Sequence, residues 1–176
     1  MNIRNPLRLA LLLTTAVLAA GTALNSLAAT QTSTLSVTAT ISNVCAISTT
    51  NGVAFGAYDP VTANATNPVT ATGSLSVTCT SGATEPVITL DVGNNPNGAG
   101  SAAAPQRQMI SGSNLLLYYL YQDSGYSVVW GNTVGSGETY TGIGTASTLT
   151  VYGSIPAGQN VPAGSYADSV VATVTY

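Results

Sequence analysis

The feature that most constrains this chain is a recurring alternation of apolar residues with residues that are mostly Thr or Ser. Leu35, Val37, Ala39 and Ile41 alternate with Thr34, Ser36, Thr38 and Thr40, and Leu75, Val77 and Cys79 alternate with Ser74, Ser76, Thr78 and Thr80. Ile88, Leu90 and Val92 stand against Val87, Thr89 and Asp91, and Leu149, Val151, Gly153 and Ile155 against Thr148, Thr150, Tyr152 and Ser154. A last run places Val170, Ala172, Val174 and Tyr176 against Val171, Thr173 and Thr175. Successive side chains of a strand point to opposite faces, so a period of two predicts half-buried strands. Leu115 to Gln122 is apolar or aromatic at nearly every position, which predicts a central strand. Turn-rich stretches at 56–60, 93–100, 131–144 and 155–165 separate the runs, and no segment after residue 28 sustains a 3.6-residue period. The pattern predicts an all-β antiparallel sandwich of immunoglobulin-like size, in one domain without repeats or linkers.

Composition removes most chemistry. The chain of 176 residues has no His and only three cations, Arg4, Arg8 and Arg107, against six acids. There is also no Lys. Without imidazole there is no Ser–His or Cys–His nucleophile and no His-based metal site. Without Lys there is no Schiff base and no phosphate-cradling lysine. Nucleic-acid binding needs clustered cations, and these are missing. The sequence therefore predicts neither an enzyme, nor a cofactor, nor a metal centre: no catalytic or metal-ligating residue is assigned.

The first residues read as an export address. Two arginines precede an apolar run from Leu9 to Ala20, and Ser26-Leu27-Ala28 fits a small-x-small cleavage site, so residues 1–28 are expected to be a signal peptide. The unbroken apolar stretch is shorter than the ~20 residues a bilayer span requires, so no membrane anchor is expected. Cleavage would leave Arg107 alone against Asp59, Glu85, Asp91, Asp123, Glu138 and Asp168. The only cysteines, Cys45 and Cys79, lie in the exported part and read as a disulfide in an oxidising compartment. Closing that loop is worth roughly 4 kcal/mol in the chain-entropy model.

Other signals read as structural. Asp91-Val-Gly-Asn-Asn-Pro-Asn-Gly faintly resembles a calcium loop, but Ala102 stands where the twelfth-position acid belongs. The six scattered acids are expected to be solvated surface charge rather than a glycosidase pair. The nine tyrosines and Trp130 raise the alternative of a sugar-binding platform, although Tyr118, Tyr119 and Tyr121 sit in one apolar run where packing is commoner.

The two ends of the pattern carry the functional reading. The last run reaches Tyr176 with no charge and no Pro between Val170 and Tyr176, so its outer edge is expected to be uncovered and undefended. A clean amphipathic strand at 35–41 precedes Cys45. One solution to such a surplus and deficit is strand addition between molecules. The other is that the first strand pairs within its own domain.

The residues that carry a family resemblance are Leu35-Ser-Val-Thr-Ala-Thr-Ile-Ser-Asn-Val-Cys45, Gly73-Ser-Leu-Ser-Val-Thr-Cys79, Val151-Tyr-Gly-Ser-Ile-Pro156 and the ending Pro162-Ala-Gly-Ser-Tyr-Ala-Asp-Ser-Val-Val-Ala-Thr-Val-Thr-Tyr176. Together they resemble the spore coat U domain family, which includes subunits of archaic, Csu-type chaperone–usher pili. The resemblance implies an incomplete immunoglobulin-like sandwich lacking its C-terminal strand and completed by donor-strand exchange. It implies a donor segment over 29–41, with Leu35, Val37, Ala39 and Ile41 as donor residues, and a sandwich domain over 42–176. Val170, Ala172 and Val174 would line part of the acceptor groove. The implied partners are a periplasmic pilus chaperone, an outer-membrane usher and other pilin subunits in a homo- or hetero-polymer. The implied location is the cell surface, reached through the periplasm, with a role in adhesion and biofilm formation. The alternatives are a stand-alone secreted carbohydrate-binding or adhesin module and a spore-coat-type structural protein.

Overall fold

Residues 28–176 are described by a computed structural model, and the expected signal peptide falls almost wholly outside them. The chain divides into a unit ending at Ala39 and a second from Thr40 to Tyr176. In the first unit, residues 28–39 have no regular secondary structure and are exposed throughout.

The second unit contains eight strands among the described residues: β1 (Cys45–Asn51), β2 (Val69–Cys79), β3 (Val87–Leu90), β4 (Arg107–Ser111), β5 (Asn114–Tyr121), β6 (Glu138–Thr139), β7 (Ser147–Ile155) and β8 (Ala172–Thr175). The single helical element among them is a 3-10 turn, Val134–Ser136. All pairings are antiparallel, in a five-stranded sheet ordered β1-β2-β7-β5-β4 and a three-stranded sheet ordered β6-β3-β8. The all-β sandwich expected from the alternation is the fold observed.

The alternation maps onto the core directly. Leu75, Val77 and Cys79 of β2, Leu116, Tyr118 and Leu120 of β5, and Val151 and Ile155 of β7 turn inward and meet Ile88 and Leu90 of β3. Burying each large apolar side chain contributes about 1.5–3 kcal/mol, which makes this face the main source of stability. β5 lies between β7 and β4, as its composition predicts, although Leu115 on its outer face is 41% exposed. Cys45 pairs directly with Cys79, and their disulfide links β1 to β2 within one sheet.

The buried polar groups were less legible. Arg107 is fully buried, donating from Nε to the Asp91 carbonyl (2.7 Å) and from Nη2 to those of Leu90 (3.0 Å) and Trp130 (2.8 Å). Burial holds its pKa down at about 10, opposed by the negative charges of Asp91 and Asp168. Trp130 is also buried and donates Nε1–H to the Ile88 carbonyl at 2.8 Å, so it belongs to the core and not to a surface platform.

Candidate functional site: an apolar groove with two unpaired edges

β8 pairs with β3 alone, through Ala172↔Leu90, Thr173↔Thr89, Val174↔Ile88 and Thr175↔Val87. The Asp91 N–H donates to the Val171 carbonyl at 2.9 Å, which fixes the phase of this ladder. Backbone groups in an antiparallel pair alternate in direction, so those of Val170, Ala172 and Val174 turn to the open side. The side chains of the same three residues are half-buried and pack against the core. This edge therefore offers hydrogen-bonding groups and an apolar face together.

A second unpaired stretch follows β1. Residues 52–58 lie in no strand, and among the described residues their backbone groups make no backbone–backbone hydrogen bond. This strap rests on the inner face of the larger sheet because Gly73 and Gly153 make room for it. A Cβ on Gly73 would come within 2.8 Å of a Val53 methyl, and one on Gly153 within 2.6 Å of Val53 and 2.8 Å of the Phe55 ring. Phe55 then meets Tyr118 edge-on, with ring centroids 6.1 Å apart.

The strap and β8 share a groove of about 360 Å³, lined by Val53 and Phe55 and by Val170 and Ala172, with Leu75 and Leu120 among the core residues exposed to it. Val53, Phe55, Met109 and Tyr166 also line an adjoining cavity of about 840 Å³ that extends toward Tyr58 and Pro162. The run-up to β8 is pinned on several sides. Ala167 exchanges backbone hydrogen bonds with Ile110 of β4 (2.9 and 3.2 Å), and the Tyr166 hydroxyl donates to the Pro162 carbonyl at 2.8 Å. The Asp168 carboxylate accepts from the Tyr118 hydroxyl (2.7 Å) and the Asn94 N–H (3.0 Å), and Asp91 accepts from the Val171 N–H (3.0 Å). Burial and the bond to Asp168 raise the Tyr118 pKa well above its ordinary value.

Several expectations need correction here. Asp91 and Asp168 are not simply solvated charge, since both tie β8 to its neighbours. Of the other acids, Asp123 accepts from the backbone of Gly125, Ser127 and Val128, and Asp59 from Val61 and Thr62. These bonds lower both pKa values, the larger cause being the Thr62 hydroxyl for Asp59, which falls to about 2, and the Val128 N–H for Asp123. The run Leu35, Val37, Ala39 and Ile41 is not a strand in the single chain: Leu35, Val37 and Ile41 are 84–86% exposed. Alternation needs a neighbour to hydrogen-bond to before it becomes a ladder, and among the described residues this run makes no backbone hydrogen bond. The first sandwich strand begins at Cys45, and ahead of it Ser42 and Val44 already bond to the Thr80 hydroxyl. Sequence reasoning missed the strap entirely. The paired glycines Gly73 and Gly153 were its one visible signal.

A sandwich with an open apolar groove at the edge of its smaller sheet defines the class of fold. The profile of the Spore Coat Protein U domain family matches residues 31–173, and the chain belongs to that family. Protein U of Myxococcus xanthus is 45% identical over 92 residues, 51% of this chain and 51% of that protein, so the chain spans about half the length of this curated relative. A chain in the crystal structure of the CsuC–CsuE chaperone–tip adhesion subunit pre-assembly complex, from archaic chaperone–usher Csu pili of Acinetobacter baumannii, matches with a TM-score of 0.53 and 25% identity. That match covers 78% of this chain and 40% of the other.

Proposed function

We propose that this protein is a structural subunit of a surface pilus, assembled by the chaperone–usher route through donor-strand complementation. The carrying observation is the groove, where apolar side chains and outward backbone groups of β8 lie together beside the unpaired strap. An extended segment laid there would gain main-chain bonds along β8 and bury alternate side chains. Strand addition of this kind is the known mode of chaperone–pilin complexes. In the proposed cycle a periplasmic chaperone fills the groove first. The segment 29–41 of another subunit replaces it at the outer-membrane usher, with Leu35, Val37, Ala39 and Ile41 entering the groove beside Val170, Ala172 and Val174.

The magnitudes suit a durable joint. Each large apolar side chain buried is worth about 1.5–3 kcal/mol. Each ladder bond adds about 0.5–1.5 kcal/mol. Export to the cell surface, adhesion and biofilm formation follow from this reading. Protein extracted from the cell surface is expected to run as a ladder of heat- and SDS-resistant multimers. Deleting residues 29–40 should abolish the ladder, and an unchanged ladder would overturn the donor assignment. A coat-type structural role is the second reading, favoured by the description of the Spore Coat Protein U domain family. Immunolabelling separates the two: fibres on growing cells support the pilus, and an even layer confined to resting cells supports the coat.

A further inference from the structure

Among the described residues Asp168 is the only charged one that lines the groove, where the other polar residues, Thr49, Asn51, Tyr118 and Tyr166 among them, are neutral. Its carboxylate accepts one hydrogen bond on Oδ1 from the Asn94 N–H and one on Oδ2 from the Tyr118 hydroxyl. A carboxylate offers about four acceptor sites, so two remain for water or another donor. Arg107 makes no hydrogen bond to Asp168: its Nε and Nη2 donate to the carbonyls of Asp91, Leu90 and Trp130 and its buried Nη1 has no partner among the described residues, so the guanidinium acts on Asp168 only through its charge. Asp168 is half-buried, and a strand laid in the groove would remove more of its water. A charge stripped of water and given no donor opposes binding, and a second negative charge opposes it further.

We infer that Asp168 is a specificity-determining residue of the groove, admitting a strand that offers it a hydroxyl, amide or cationic side chain and rejecting one that offers a carboxylate. This rests on the reading of the groove as a strand-binding site. The segment this chain itself supplies fits the requirement. Residues 29–41 contain no acid, and their polar members are Thr, Ser and Gln, all of which can donate. All six acids of the chain lie at Asp59 or later.

The test replaces each Thr, Ser and Gln of residues 29–41 by Asp, one at a time, in the full exported chain, and measures the yield of SDS-resistant multimers. One position, or two neighbouring ones, should lose tenfold or more as Asp. The same substitution combined with Asp168→Asn should lose no more than twofold, and Lys at that position in the otherwise unaltered chain should keep the original yield. A merely structural Asp168 would not rescue a substitution made in another segment. No rescue at any position would overturn the inference while leaving the groove reading intact. Absence of multimers from the unsubstituted chain would instead overturn the groove reading. Should Asp168→Asn fail to fold, the contrast between Asp and Lys decides, and equal losses from both overturn the inference.

Discussion

Two segments of this chain carry nearly the same pattern and meet opposite fates. Residues 35–41 and residues 170–176 both alternate apolar with small polar side chains, and neither contains a charge or a proline. The second forms β8 against β3, whereas the first is exposed and unpaired. The pattern states which faces a strand would have, and a partner decides whether the strand exists. A run of seven residues cannot recover its ordering entropy from local contacts, since each fixed residue costs about 1–2 kcal/mol. β8 recovers it through the β3 ladder, the core and the two carboxylates that hold its start.

Three experiments would break or sharpen that contrast. The largest effect is expected where the unpaired segment meets the sandwich. Replacing both Cys45 and Cys79 by Ala should lower unfolding stability by about 2–5 kcal/mol, read from denaturant melts, because the bridge holds edge strand β1 to β2. A smaller loss with an unchanged β1 amide-exchange pattern would show that the ladder alone fixes this boundary. Next comes the same substitution in each segment. Val174→Asp should cost about 2–3 kcal/mol by placing a charge against the core. Val37→Asp should change the stability of the single chain by less than about 0.5 kcal/mol, because Val37 is 85% exposed. The multimers should nevertheless disappear in both. Equal stability losses would mean that residues 35–41 pair within their own chain.

The smallest effect concerns the anchor of β8. Burial and the bond to Asp168 keep the Tyr118 hydroxyl protonated above its ordinary 10.0. As the pH rises past that value, the unfolded chain sheds a proton that the folded chain retains, so stability falls. This contribution is at most about 1.4 kcal/mol per pH unit. In Tyr118→Phe the decline in denaturation midpoint above about pH 10 should be shallower, since the ring remains and the titrating hydroxyl is gone. An identical decline would show that other tyrosines carry it, Tyr121 first among them.

Legibility in the sequence followed the type of force. The runs at Leu75, Leu149 and Val170 became strands because burial of alternate side chains is a local code, whereas β3 is buried on both faces, from Val87 to Leu90. Leu115 to Gln122 became an inner strand by the same local code. The strands β1, β4 and β6 escaped notice, as Cys45–Asn51 is mostly exposed, Arg107–Ser111 is paired mainly through its hairpin with β5 and Glu138–Thr139 has only two residues. Nothing in the sequence marked Arg107 for burial. Its burial depends on three carbonyls from Leu90, Asp91 and Trp130, which only the folded chain assembles. Val170, Ala172 and Val174 could be named in advance as one face, but not the strap that shares their groove.

The sequence by itself determined the β architecture, the faces of its main strands, the cysteine pair and the absence of His and Lys. All four depend on residue type and short spacing. Only the tertiary structure decided that Gly73 and Gly153 seat Val53 and Phe55, that Asp168 stands at the rim of the groove, and that residues 35–41 remain unpaired while β8 does not. Those outcomes depend on which distant segments meet, and hydrogen bonds and excluded volume settle that only when the whole chain has packed.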